Sequence, residues 1–198
     1  MKLYYAPQTR AIRPRWLLEE LGEPYDLIKL DIAARDQKKP EHLALHPLGK
    51  VPVLVDGDVT MIESLAICLY LADKYLDRGL APPHSAPARP YYYQWCVYSI
   101  GTLEPTILAT MIARQRGDAD AALARVDQGT FGEAVAVIEN ALANRRYLLG
   151  DKFTAADIMV GSIFGWGAGM GLFQPSETIG RYMGTLSGRP AFQKVMAD

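Results

Sequence analysis

The N-terminal part of the chain begins with an apolar run and then changes to a helical spacing of apolar residues. Residues Leu3–Ala6 form a short run that Pro7 closes, a pattern typical of a buried strand. From Thr9 to Leu21 apolar side chains recur at helical intervals, which predicts an amphipathic helix. Gly22 follows directly, and glycine is the residue that most often ends a helix. The pattern therefore predicts a strand followed by a helix.

Three further strands and a second clear helix follow this pair. Asp56-Gly57-Asp58 is a hairpin turn signal between two apolar runs, so the last two strands are predicted to be antiparallel. The order of elements predicts an α/β domain of thioredoxin-like type, with a mixed four-stranded sheet and helices on both faces. The predicted segments are strands at 25–30, 51–55 and 59–62, a loop with a short helix at 33–47, and a helix at 64–75.

A proline-rich break separates this pattern from the second half of the chain. Four prolines lie between residues 78 and 90, which is the composition of a linker, and no strand signal follows it. The pattern predicts a thioredoxin-like domain at 1–77, a linker at 78–90 and an all-α helical bundle domain at 91–198.

Helical periods dominate the second half. A long helix is predicted at 91–116, bent at Pro105, and a proline-free helix at 119–144. Thr154 and Asp157 have nearly the spacing and chemistry of a capping box and predict the start of another helix. Glycines clustered around residue 166 indicate close packing and then a helix end, and a short final helix is predicted to start at 188–192.

Composition narrows the function classes. The chain has 198 residues, of which 49% are hydrophobic and 22% charged, and its formal net charge of −1 offers no electrostatic footprint for nucleic acid. Neither a leader segment nor a run of about 18 apolar residues is recognised, so no membrane association is expected. Cys68 and Cys96 lack metal or disulfide spacing and are expected to be free thiols in a cytoplasmic protein. The three histidines show no metal spacing, so no metal is expected.

Two short motifs carry the candidate chemistry. Pro52 lies between two valines in a predicted strand, although proline cannot donate a ladder hydrogen bond. A proline there is explained if a backbone edge is left free to pair with a peptide-like ligand. Glu63-Ser64 stands where a helix begins, and a helix start offers free N–H groups to an anion. Together the motifs predict binding of a small acidic peptide.

These residues resemble the glutathione S-transferase superfamily, in its cytosolic, bacterial-type form. The combination of Val51-Pro52 with Glu63-Ser64 is specific, and the match runs through nearly the whole chain in the family's order and spacing. The segments that carry the resemblance are Leu3–Pro7, Trp16–Gly22, His46–Leu54, Glu63-Ser64 with Ile67, Tyr70 and Leu71, and Phe153–Ile158.

The resemblance implies a glutathione-binding N-terminal domain and a helical domain that shapes an electrophile pocket. It implies that Pro52 is cis and that the N–H and C=O of Val51 meet the cysteinyl backbone of glutathione. Ser64 with the adjacent N–H would hold the γ-glutamyl carboxylate, and Glu63 would receive its ammonium group or hold the loop. The glycyl carboxylate would meet lysines of the preceding loop: Lys38, Lys39 and Lys50.

Two side chains are candidates for the hydroxyl that activates the glutathione thiol. Related serine-type enzymes carry a serine in the turn after the first strand, where this chain has Thr9, which could also act only as a helix cap. Tyr5 is the alternative, matching a tyrosine of bacterial beta-class enzymes, or it belongs to the strand core. Arg10 stands where those enzymes usually carry a cysteine. The chain therefore resembles the serine/threonine type, and Arg10 either adds positive potential near the sulfur or points to solvent.

The resemblance also implies the reaction and the partners. The expected activity is conjugation of the glutathione thiolate to small hydrophobic electrophiles, in a homodimer. The alternatives are a glutathione-dependent peroxidase or disulfide reductase and a non-catalytic binding protein of the same fold. The family's second-substrate pocket would receive side chains from the long helix, here Tyr98, Met111 and Arg114.

Overall fold

The first apolar run becomes an inner strand of a four-stranded sheet. In this computed structural model, which describes residues 1–118 and 120–197, β1 (Lys2–Tyr5) is parallel to β2 (Asp26–Lys29). On its other side β1 is antiparallel to β3 (Val53–Asp56), which pairs with β4 (Val59–Ile62) in a hairpin. The order β2-β1-β3-β4 confirms the predicted mixed sheet.

Three helices complete the first part of the chain. They are α1 (Ile12–Leu21), α2 (Pro40–Leu43) and α3 (Ser64–Lys74), with 3₁₀ turns at Asp36–Lys38 and Leu76–Arg78. α1 ends at Gly22 with a φ of 69°, as predicted. It begins later than Thr9, because residues 9–11 form a turn in which the Ile12 N–H donates to the Thr9 carbonyl at 3.1 Å.

A long helix with one wide turn opens the helical part. It consists of α4 (Arg89–Tyr98), a π-helical turn (Ser99–Leu103) and α5 (Glu104–Arg116). Pro105 explains the wide turn, because proline cannot donate to the carbonyl four residues earlier and its ring crowds that carbonyl. The irregularity predicted at Pro105 thus takes the form of a π-helical turn before the proline.

This long helix is the one candidate membrane span by length and apolar composition in the part of the chain that the structure describes, a test that core helices also pass. Tyr92, Leu103 and Ile107 are fully buried along it, so one side belongs to the core of the helical part.

The prediction of a single helix over 119–144 is wrong in its first half. Among the described residues, a 3₁₀ turn at Ala121–Leu123 leads into a small hairpin of β5 (Arg125–Val126) and β6 (Gly129–Thr130) before α6 (Phe131–Leu142) starts; Ala119 lies outside the described residues. Gly129 has a φ of 101°, a conformation that ends any continuous helix. The expectation that no strand follows the linker is therefore also wrong.

Two further helices complete the helical part. Thr154 and Asp157 start α7 (Ala155–Gly169), which confirms the capping signal. α7 ends inside the glycine cluster, at Gly169, as predicted, and Gly167 lies so close to Ile107 that a Cβ atom would overlap its side chain. α8 (Glu177–Ser187) was not predicted; the Ser176 hydroxyl caps it by accepting from the Ile179 N–H at 3.3 Å.

The last helix of the chain belongs to the unit that contains the sheet, not to the helical unit. The structure divides into one compact unit of residues 1–80 and 190–198 and a second unit of residues 81–189. In the first unit, α9 (Pro190–Met196) packs on α1, with the rings of Phe192 and Trp16 4.7 Å apart and the Lys194 ammonium 2.6 Å from Glu19. The sequence-based boundaries had assigned this helix to the second domain.

Candidate functional site

The peptide bond between Val51 and Pro52 is cis. β3 begins only at Val53, whose partner in β4 is Ile62, so Val51 and Pro52 precede the strand that they were predicted to open. Pro52 is buried and Val51 is half-buried. The N–H and C=O of Val51 thus lie outside the sheet ladder, where a peptide-like ligand can pair with them.

The loop before Val51 is held by side chains from residues 36–42. The Lys38 ammonium donates to the Leu48 carbonyl at 2.7 Å, and His42 Nε2 lies 2.8 Å from the Lys50 carbonyl oxygen. Gly49 has a φ of 56°, and a Cβ atom there would overlap the Gln37 carbonyl. This close approach explains why the turn contains glycine.

The three predicted lysines differ in the contacts that their ammonium groups make. Besides the contact of Lys38 with the loop, Lys39 forms an ion pair with Asp36 at 2.7 Å, which raises the pKa of Lys39. The Lys50 ammonium is exposed and makes no ion pair among the described residues. Lys50 is therefore the lysine that can meet an anion without breaking another contact.

The start of α3 forms an anion cradle. Ser64, the first residue of α3, is 6% exposed, and its hydroxyl oxygen accepts a hydrogen bond from Arg13 Nη1 at 3.2 Å. The first N–H groups of a helix have no partner within the helix, and the helix dipole favours negative charge there. Glu63 keeps its carboxylate exposed but has a φ of 71°, an uncommon conformation for a residue with a side chain.

Arg13 is a site residue that the sequence reasoning missed. It is 3% exposed, lies in the first turn of α1 and brings a guanidinium to the start of α3. A buried arginine strengthens an anion site, because its charge is poorly screened by water. No local signal in the sequence indicated it, because its partner Ser64 lies 51 residues away.

Thr9 lies in the turn between β1 and α1. Its hydroxyl donates to the Ala6 carbonyl at 2.7 Å and accepts from the Ala11 N–H at 3.2 Å. The N-cap of α1 is Ala11, so Thr9 closes the turn and does not cap the helix. To donate to a thiolate, the hydroxyl must rotate away from Ala6.

The other two candidates for thiol activation lie in contrasting surroundings. Tyr5 is 3% exposed, and the Arg15 guanidinium lies 4.7 Å from the centre of its ring. Arg10 is exposed at the turn. Tyr5 thus contributes to the core of the sheet, whereas Arg10 contributes charge at the surface.

The structure does not bring the three second-substrate residues together. Met111 and Arg114 lie one turn apart on α5, whereas Tyr98 is 13 residues before Met111, about 20 Å along the helix axis. The Tyr98 hydroxyl donates to the Ala134 carbonyl at 3.0 Å, and burial raises its pKa. Arg114 Nη1 donates to the Gly171 carbonyl at 2.5 Å.

Side chains that can bind a metal ion are dispersed among the described residues. Those residues contain no group of three His, Cys, Asp or Glu side chains that could hold a metal ion. Cys68 and Cys96 are both buried. Burial raises the pKa of Cys68 to about 12, so this thiol is unreactive at neutral pH.

Comparisons with known proteins cover both halves of the chain. Residues 1–73 match the family model of the glutathione S-transferase N-terminal domain, and residues 112–168 match that of the C-terminal domain. Glutathione S-transferase F11 of Arabidopsis thaliana is 34% identical over 96% of this chain and 94% of its own length. The chain belongs to the glutathione S-transferase family. The resemblance found in the sequence is thereby confirmed.

Other members of the glutathione S-transferase family match along their whole length. Glutathione S-transferase hmp2 of Hypomyces subiculosus is 34% identical over 100% of this chain and 98% of its own. Among solved structures, a sphingomonad glutathione S-transferase complexed with glutathione has a TM-score of 0.84 at 27% identity, covering 100% of this chain and 98% of its own. The ternary complex of BphK, a bacterial member, has a TM-score of 0.83 at 25% identity with the same coverage. The thioredoxin-like and helical architecture is confirmed.

Proposed function

We propose that this chain conjugates the thiolate of glutathione to small hydrophobic electrophiles and that Thr9 stabilises the thiolate. Family membership makes the chain a glutathione transferase with glutathione as its co-substrate. The observation that carries the proposal for this site is the free backbone edge at the cis Val51–Pro52 bond, beside the Arg13-supported start of α3.

Each part of glutathione has a matching group in the first unit. The N–H and C=O of Val51 pair with the cysteinyl backbone, as in the addition of a short strand. Ser64 and the first N–H groups of α3 hold the γ-glutamyl carboxylate, and Glu63 receives the ammonium group. Lys50 meets the glycyl carboxylate, with Lys38 and Lys39 beside it.

The protein's contribution to the chemistry is a lower pKa of the bound thiol. A free thiol has a pKa of about 8.5, so only a small fraction is ionised at neutral pH. A hydrogen bond from Thr9 to the sulfur and the N-terminal dipole of α1 both favour the anion. Lowering the pKa by about two units corresponds to roughly 2.7 kcal/mol, within the reach of these two effects.

The conjugation then proceeds as a nucleophilic displacement. The thiol proton leaves to solvent, the sulfur electron pair forms a bond to the electrophilic carbon, and the leaving group departs with the electrons of its own bond. Binding both reactants in one orientation supplies the rest of the acceleration. Both cysteines are buried, so this chain offers no exposed thiol for a mixed disulfide.

The helical unit supplies the side chains proposed for the electrophile and for self-association. Met111 and Arg114 can contact the electrophile from one turn of α5. Tyr98 lies 13 residues before Met111 and instead stabilises the packing of α4 through its bond to the Ala134 carbonyl. A cytoplasmic location and a homodimer are proposed with them, and exposed aromatic and aliphatic side chains on α4 support self-association.

The assignment of Thr9 is tested by conjugation of a chlorinated nitroaromatic with the variants Thr9→Ala, Thr9→Ser and Tyr5→Phe. Thr9→Ala is expected to lower kcat/KM by about 10- to 100-fold, the worth of one hydrogen bond to a charged group. Thr9→Ser keeps the hydroxyl and should retain most activity, and Tyr5→Phe should also remain active. Full activity in Thr9→Ala would contradict the role of Thr9, and a loss of activity only in Tyr5→Phe would assign the role to Tyr5. Binding to immobilised glutathione and a parallel assay with a peroxide separate conjugation from mere binding and from reduction.

A further inference from the structure

His42 is a buried polar residue that the proposed reaction does not use. It lies in the four-residue helix α2, and only 3% of its surface is exposed. Its Nε2 atom lies 2.8 Å from the carbonyl oxygen of Lys50. A carbonyl oxygen can only accept, so Nε2 must carry the hydrogen, which assigns the tautomer by chemistry.

The carbonyl that His42 binds belongs to the same peptide group as the Val51 N–H. A peptide group is planar, and in its trans form the C=O and the N–H point in opposite directions. The Val51–Pro52 bond is cis, and no other cis bond occurs among the described residues, so the Lys50–Val51 group is trans. His42 therefore holds one end of this plane while the Val51 N–H points away from the imidazole.

The imidazole also lies beside an aromatic ring of the sheet. The ring of Tyr4, on β1, lies 5.6 Å from the His42 ring at an angle of 56°. Lys38 donates to the carbonyl of Leu48, two residues before Lys50. The turn is therefore held at two carbonyl groups, those of Leu48 and Lys50. His42 thus connects the sheet to the peptide plane next to the recognition edge.

Packing alone does not explain a histidine at this position. Its Nδ1 atom is buried and has no hydrogen-bond partner in the described part of the chain. A buried nitrogen without a partner is costly, and an apolar ring of similar size would avoid that cost. Among the described residues, the bond to the Lys50 carbonyl is the one polar contact of this side chain that offsets it.

We propose that His42 is a positioning residue for glutathione, acting through the peptide plane of Lys50 and Val51. The inference rests on the proposed function, in which the Val51 N–H and C=O bind the cysteinyl backbone. His42 orients the N–H toward the ligand and polarises the peptide group, which makes the N–H a better donor. Its effect is on glutathione binding, and the thiol chemistry at Thr9 proceeds without it.

The test compares His42→Phe, which keeps a ring and removes the donor, with His42→Gln, whose amide can still donate. The matched control is His84→Gln, at an exposed histidine outside the site. His42→Phe is expected to raise KM for glutathione and Kd for S-hexylglutathione about tenfold, with kcat changed less than twofold. His42→Gln should recover most of the affinity, and His84→Gln should match the unmodified chain.

Several outcomes would overturn the inference. Unchanged affinity in His42→Phe would do so, as would equal losses of affinity in the Phe and Gln variants at equal Tm. A fall in kcat at constant KM would place His42 in the chemistry instead of in binding. If His42→Phe does not fold, the Gln variant decides alone: retained affinity supports the inference, and affinity lost at an unchanged Tm contradicts it. Failure of the unmodified chain to bind S-hexylglutathione overturns the proposed site together with this inference.

Discussion

Two residues with unusual backbone angles border the candidate site at the residue scale. Gln8, next to Thr9, has a φ of 56°, and Glu63, next to Ser64, has a φ of 71°. Positive φ is unfavourable for residues with a Cβ atom and persists only where surrounding contacts impose it. In this chain the two angles occur directly before Thr9 and directly before the first residue of α3.

Gly49 provides a prediction at the same scale. Gly49 has a φ of 56° and Gly57 a φ of 59°. Of these two glycines, only Gly49 has neighbours that a Cβ atom would overlap. Gly57→Ala is expected to cost about 1 kcal/mol of unfolding free energy from the backbone conformation. Gly49→Ala should cost about 1–3 kcal/mol more, because the turn must also move away from Gln37.

Urea denaturation and KM for glutathione measure both effects of these alanine substitutions. Since Gly49 lies two residues before Val51, its variant should raise KM, whereas the Gly57 variant should not. Equal losses of stability in the two variants, with KM unchanged in both, would show that the approach of Gly49 to Gln37 is unimportant.

At the scale of elements, α7 depends on one buried carboxylate. Asp157 accepts from the Thr154 N–H at 2.9 Å, from the Leu148 N–H at 2.9 Å and from the Tyr182 hydroxyl at 3.0 Å. It thereby joins the start of α7 to the preceding loop and to α8. The sequence indicated only the contact with Thr154, because the other two partners lie 9 and 25 residues away.

Replacing Asp157 with asparagine should destabilise the helical unit. The amide has one acceptor oxygen where the carboxylate has two, and its NH₂ group would face a donor. The expected loss is about 2–4 kcal/mol of unfolding free energy at neutral pH. Glu133→Gln in the exposed capping box of α6 is the matched control and should cost about 1 kcal/mol or less. Equal losses in the two variants would contradict the special role of the buried group.

The same carboxylate gives a pH dependence with a definite sign. Burial raises the pKa of Asp157 to about 6, above its ordinary value of 3.8. The pH-dependent part of its contribution to stability is therefore full below about pH 4 and is lost as the pH rises through about 6, in addition to the loss expected at neutral pH. The cost of Asp157→Asn should be greater at about pH 4.5 than at pH 7, by up to about 2 kcal/mol. Urea denaturation at several pH values measures this, and a pH-independent cost would contradict it.

At the scale of the whole molecule, one face of α4 and the following turn supports the proposed homodimer. Tyr93, Val97 and Ile100 recur at helical spacing and remain 43%, 58% and 38% exposed. Val97→Glu is expected to convert a dimer to a monomer, because the interface would bury an unpaired charge. Sedimentation equilibrium measures the change.

The matched control for the dimer is Val137→Glu, at a valine on α6 that is 44% exposed. It introduces the same charge at a similar exposure on a different helix and should leave the oligomeric state unchanged. A monomeric unmodified chain would contradict the homodimer, and dissociation by both variants would contradict the choice of this face.

Sequence reasoning was most successful in the first unit. The order of strands, the end of α1 at Gly22 and the hairpin at 56–58 depend on neighbouring residues, so local patterns sufficed. It failed at 119–130, where an alanine-rich pattern hid a short hairpin among the described residues. It also missed α8 and could not assign α9 to a unit, because a short apolar face does not specify its partner.

The sequence by itself determined the backbone features of the candidate site. Val51-Pro52, Glu63-Ser64 and Thr9 lie in turns and at a helix start that proline and the neighbouring apolar pattern indicate. Only the tertiary structure decided which side chains support them. Arg13 meets Ser64 across 51 residues, and His42 meets the Lys50 carbonyl through a turn whose path depends on Gly49. Such contacts are made after distant segments have packed, so no local pattern encodes them.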